Sequence, residues 1–118
     1  MALEYSYDPK ADPVTIRMAG GLTLGPRLAA FSRAVSTLLS ERPVSGLILD
    51  MAGISGIDSA GLGELVILYT ASSEAGTAVC LVRPSAHVGK LLERTRVSGL
   101  FPVFEEDTAA IAWIRSRV

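Results

Sequence analysis

Two short runs, Leu47-Ile48-Leu49 and Ala78-Val79-Cys80-Leu81-Val82, are apolar without the polar alternation of a half-wetted strand. Runs of this kind fit strands covered on both faces, and double burial belongs to parallel sheets, whose crossover connections supply the covering layers. Between the runs, Leu62, Leu65, Val66 and Tyr69 recur at helical spacing until Gly76 closes the pattern. Strand, helix, strand is one right-handed crossover unit, and the rest of the chain repeats the motif.

Upstream, Leu3, Tyr5 and Tyr7 alternate with polar neighbours, as do Val14, Ile16 and Met18, with Asp8-Pro9 and Asp12-Pro13 punctuating the gap. These read as two paired, half-buried strands. Pro26 suits a first helical position, and Leu28, Phe31, Val35, Leu38 and Leu39 mark an amphipathic helix that Pro43 stops. Downstream, Pro84-Ser85 reads as a cap before a helix bearing Val88, Leu91 and Leu92, with Gly99 expected to close it. A short Phe101 to Phe104 strand follows. Asp107 is expected to cap a last helix whose Ile111, Ile114 and Val118 face inward, with Arg115 and Arg117 matching its C-terminal dipole. The class is therefore α/β, with a mostly parallel sheet of four to five strands, one antiparallel strand early and about four helices.

Composition narrows the possible partners. A chain of 118 residues with a formal net charge of -1 and no basic cluster lacks the electrostatic footprint of a nucleic-acid binder or of a protein held on an anionic membrane. Its longest uninterrupted apolar run, the six residues Ala109 to Ile114, falls far short of the roughly 20 that span a bilayer. Met1 to Lys10 has no basic-then-apolar plan, so no secretory signal is read and a cytoplasmic location is expected. One cysteine, Cys80, and one histidine, His87, allow neither an internal disulfide nor a zinc site, and no cofactor or metal is expected. Cys80 reads as an inert core thiol, Trp113 as a core or rim anchor, and Arg94 and Arg96 as a solvated face. With no break in composition, the whole chain, residues 1–118, is expected to form one domain.

The segment Asp50 to Gly63 breaks local rules. It reads as a connection from a central strand into the second helix, at the carboxyl edge of the sheet where open α/β proteins meet ligands and partners. Gly61 and Gly63 fall in the first turn, where each costs about 1 kcal/mol relative to Ala. Bare amides and close approach by another molecule would account for them, and a helix start favours negative charge, which suits a phosphate on Ser59. The simpler reading is that Asp58 and Ser59 are ordinary N-cap residues. A phosphate-binding P-loop is excluded because neither Lys10 nor Lys90 lies nearby, and a dinucleotide fingerprint because Val66 stands where its third glycine belongs. Ile57 breaks the nucleophile-elbow pattern, which leaves only a weak Asp58-Ser59-His87 hydrolase reading.

Asp58-Ser59-Ala60-Gly61-Leu62-Gly63 resembles the Asp-Ser-Ser/Thr-Gly-Leu-Gly signature of STAS domains, specifically bacterial anti-sigma factor antagonists. The resemblance spans nearly the whole chain, with Ile16 to Leu22, Leu47 to Asp58 and Val97 to Ile114 resembling the family's second strand and turn, pre-signature strand and closing segment. It implies a non-enzymatic regulatory module whose Ser59 is phosphorylated by a partner anti-sigma factor that is itself a serine kinase, and is restored by a serine phosphatase. The unmodified form would bind that kinase and free its sigma factor. The implied partner surface comprises Gly21, Thr23, Gly56, Asp58, Ser59, Ala60, Gly61, Leu62 and Gly63, with self-association limited to a weak homodimer. Asp58 either orients the serine, contacts the kinase or serves as a cap. Three departures stand out: Gly21 and Thr23 replace common acids, Gly56 replaces a frequent aromatic, and Ala60 replaces a second hydroxyl, leaving Ser59 the only acceptor in the signature. The alternative the resemblance allows is a constitutive STAS subunit or scaffold of a transporter or signalling assembly, never phosphorylated.

Overall fold

The computed structural model describes residues 1–117; the expected inward face of Val118 lies outside the described residues. Five strands form one sheet in chain order: β1 (Glu4–Ser6), β2 (Val14–Leu22), β3 (Gly46–Ile57), β4 (Ala78–Val82) and β5 (Val103–Phe104). β1 runs antiparallel to β2, with Tyr5 opposite Met18, and every later pairing is parallel. The helices are α1 (Pro26–Glu41), α2 (Ser59–Glu74), α3 (Ala86–Arg94) and α4 (Asp107–Arg115).

Strand alternation sorts the core into two layers. Ile16, Met18, Leu47, Leu49, Val79 and Leu81 point to one face and pack with Leu28, Phe31, Val35 and Leu38 of α1, Leu65 and Leu68 of α2, and Val88 and Leu92 of α3. Ile48, Cys80 and Val82 point the other way and meet Ala110 and Ile114 of α4. Both central strands are thus covered on both faces, which is why their sequences show no alternation. Burial without a charged partner pushes the Cys80 thiol up to about 11, as expected of an inert core residue. Trp113 is half-buried, tilted against Phe104 at 6.0 Å and covered by the Arg117 guanidinium at 4.9 Å.

Several boundaries differ from the sequence reading. β3 does not stop after Leu49 but continues to Ile57, so most of the segment read as a connection is strand. Two irregularities hide this: three residues of β2, Arg17 to Ala19, face four of β3, Asp50 to Gly53, and Gly20-Gly21 then face the three residues Ile54 to Gly56. Each inserted residue flips the side-chain phase, so the buried positions pass from Leu49 and Met51 to Ile54, and period-2 reading fails. α3 ends at Arg94 rather than at Gly99, because the Thr95 hydroxyl donates to the Leu91 carbonyl and Arg96 turns left-handed at φ 62, leaving Gly99 within a 3-10 turn over Val97–Leu100. The last strand is only Val103–Phe104. Asp107 does not cap α4; Glu106 holds that position, and the Asp107 carboxylate is drawn off to Arg83 at 3.0 Å. Pro26 at the start of α1, Ser85 capping α3 and left-handed Gly76 (φ 74) after α2 stand where the sequence puts them.

Candidate functional site

β4 pairs with β3 only over Gly46 to Asp50, so Met51 to Ile57 run on beside β2 alone and carry Asp58 and Ser59 beyond the sheet's carboxyl edge. Asp58 is extended and serves as the N-cap of α2. One of its carboxylate oxygens accepts the Gly61 amide at 2.9 Å, the other the Leu24 amide at 2.9 Å. Its own amide donates to the Leu22 carbonyl at 3.3 Å. These bonds tie the loop after β2 to the start of α2 and bring exposed Thr23 and Leu24 beside exposed Ser59. The Leu24 amide, then the Gly61 amide, hold the Asp58 carboxyl below its ordinary range. Of the three roles open to Asp58, the cap is the one the geometry displays.

Ser59 is the first residue of α2, and among the described residues no hydrogen bond engages its hydroxyl. It sits where helix amides concentrate positive potential, so added negative charge is tolerated within the fold.

The two glycines have separate causes. A Cβ on Gly61 would stand 1.9 Å from the Leu22 carbonyl oxygen, so this buried glycine lets α2 lie against β2, and its amide is taken by Asp58. The expectation of a bare amide open to another molecule is corrected there: the close approach is internal. Gly63 is exposed, and a Cβ on it would meet nothing within 4 Å. Gly56 likewise faces open space, whereas Gly21 is buried with its amide donated to the Met1 carbonyl at 3.0 Å. Ala60 and Leu62 are half-buried against the main core.

The sequence reading missed Leu24, a large apolar side chain 81% exposed beside the serine. The signal was present, since Leu24 lies in a Gly- and Pro-bounded loop where an apolar residue has no core to serve. It also missed the cluster behind β3, where the Asp50 carboxylate meets Arg17 at 2.7 Å and Arg83 at 2.9 Å. His87 is exposed in the first turn of α3 and shares no hydrogen bond with Ser59 among the described residues. A concavity of about 840 Å³, lined in part by Ser45, Thr77, Phe101 and Trp113, opens at the amino ends of β3 and β4, away from Ser59. No group of three His, Cys, Asp or Glu side chains among the described residues is arranged to hold a metal ion.

Fold and site together define an open α/β module whose carboxyl edge presents a serine at a helix start. The STAS domain family model matches residues 9–110, and the chain belongs to that family. A search of the curated proteins finds no match. Among solved structures, an anti-sigma factor antagonist candidate from Thermotoga maritima superposes with a TM-score of 0.84 at 21% identity over 94% of each chain. The anti-sigma factor antagonist SpoIIAA in its unphosphorylated form gives 0.80 at 21% identity over 98% of this chain and 99% of that one. The murine anion transporter Solute Carrier 26 family member A9 gives 0.76 at 21% identity, this chain being 87% covered but matching only 18% of the transporter. At these identities the likeness establishes the fold. No helix among the described residues is long and apolar enough to cross a membrane.

Proposed function

We propose that the protein is an anti-sigma factor antagonist acting in the cytoplasm as a partner-switching module. Unmodified, it binds an anti-sigma factor that is a serine kinase and thereby frees the sigma factor. Transfer of phosphate to Ser59 breaks that complex, and a serine phosphatase restores it. The observation that carries the reading is the presentation of Ser59, exposed and, among the described residues, without a hydrogen bond to its hydroxyl, at the first position of a 16-residue helix whose cap is already provided by Asp58. The residue is free for modification because it has no duty in the fold.

The surface beside it supports a binding role. Ser59, Gly63, Val66, Ile67 and Thr70 share the outward side of α2, where Val66 and Ile67 are 40% and 58% exposed although Leu65 and Leu68 on the other side already fill the core. A helix apolar on both sides is stable when something covers it, and the exposed stripe joins Leu24 and Thr23 across the Asp58 bridge. Within the proposed surface, Thr23, Gly56, Ser59 and Gly63 face outward, Asp58, Gly61 and Gly21 shape the backbone beneath, and Ala60 and Leu62 anchor the helix. The kinase supplies ATP and magnesium; this chain supplies the acceptor hydroxyl.

Incubation with the kinase-type anti-sigma factor and ATP-Mg²⁺ is expected to place one phosphate on wild-type protein and none on Ser59→Ala, read by intact-mass spectrometry. A second reading, a constitutive STAS module of a larger assembly, is favoured by the structural likeness to the transporter's domain. It predicts no phosphate on Ser59 in protein isolated from the native host, whereas the switch predicts a phosphorylated fraction.

A further inference from the structure

Asp50 lies at the last point where β3 is held on both sides. There it pairs with Arg17 of β2 and Val82 of β4; one residue later β4 is gone and the first irregularity begins. Its carboxylate works on both consequences. One oxygen accepts the Ala52 amide at 3.1 Å, within the four-residue stretch Asp50 to Gly53 that faces three residues of β2. The other receives Arg17 at 2.7 Å and Arg83 at 2.9 Å. Arg83 reaches it from a left-handed backbone, φ 54, a conformation that non-glycine residues seldom adopt, and the same guanidinium holds Asp107 of α4 at 3.0 Å and the Glu105 carbonyl at 3.3 Å. The end of β4, the start of α4 and the bulge in β3 thus meet on one carboxylate.

The bulge sets the phase of everything after it. It turns Ile54 inward and so fixes the direction from which Ile57, Asp58 and Ser59 leave the sheet. We propose that Asp50, clamped by Arg17 and Arg83, is a positioning residue for Ser59: it locks the bulged half of β3 and thereby holds the serine-bearing start of α2 in one orientation. The inference rests on reading Ser59 as the switched residue, but its test needs no kinase, so a failure here is separate from a failure of that reading.

The test is amide hydrogen exchange, followed residue by residue by NMR, on the full chain. Asp50→Ala is expected to speed exchange over Ile54 to Gly61 by about tenfold or more relative to the amides of α1 and β4, with Asp50→Asn, which keeps an acceptor for Ala52, falling between. Should Asp50→Ala fail to fold, Arg17→Gln removes one clamp from a side chain 59% exposed and is expected to give the same pattern at a few-fold amplitude. Acceleration confined to Ala52, or spread equally over α1, β4 and α3, would overturn the proposal: the first makes the carboxylate a local turn acceptor, the second a general stabiliser.

Discussion

Individual residues at the serine corner divide into those that build it and those that face outward, and substitutions separate the two. Gly61→Ala gains helix propensity worth about 1 kcal/mol. It also drives a methyl group into the Leu22 carbonyl, and overpacking of this kind costs about 1–3 kcal/mol, so net destabilisation in denaturant titration is expected. Gly63→Ala meets no obstruction and should stabilise the fold by up to about 1 kcal/mol while weakening partner binding. Sequence spacing put both glycines at a helix start but could not distinguish them, because the atom that forbids a side chain on Gly61 belongs to a residue 39 positions earlier. Asp58 and Asp50 both titrate below the ordinary aspartate value when folded. At Asp50, burial opposes the shift, and the Ala52 amide and the two arginines outweigh it. A depressed folded value means the stabilisation is complete above about pH 4, the unfolded value, and is lost as pH falls below it. The thermal midpoint is therefore expected to fall between about pH 5 and pH 3, with a shallower fall in Asp58→Asn; an identical slope in both proteins would remove Asp58 from the account.

The elements were legible where one periodicity ran unbroken. α1 shows an uninterrupted helical stripe between Pro26 and Pro43, and the middles of β3 and β4 announce burial on both faces through plain apolar runs. The distal half of β3 was illegible because two inserted residues reset its alternation, and the polar and glycine residues there resemble a loop when no partner strand is in view. The Asp107 cap failed for a similar reason: a cationic side chain 24 residues away took the carboxylate. β4 is buried from Val79 to Val82, so Cys80, held fully buried with its thiol at about 11, should resist alkylation in the native protein and react only on unfolding. Rapid labelling of the native chain at neutral pH would show that β4 opens locally.

At the scale of the whole molecule, a formal charge of -1 gives the protein no large net charge of its own before any modification. A phosphoserine adds about -1.5 to -2, the largest single change available to this surface. Inside the fold that charge sits at a helix N-terminus and is tolerated; at a closed interface a like charge about 4 Å away costs up to about 4 kcal/mol at an effective dielectric of 20. Half of that, about 2 kcal/mol, weakens a complex by about thirtyfold. The proposed switch would therefore act through the interface and leave the module folded. The most direct measurement is the affinity of wild type, Ser59→Ala and Ser59→Asp for the kinase-type anti-sigma factor by titration calorimetry, beside thermal midpoints for all three. The account predicts tight binding by wild type and Ser59→Ala, at least tenfold weaker binding by Ser59→Asp, and closely similar midpoints. Equal affinities for all three proteins would contradict it.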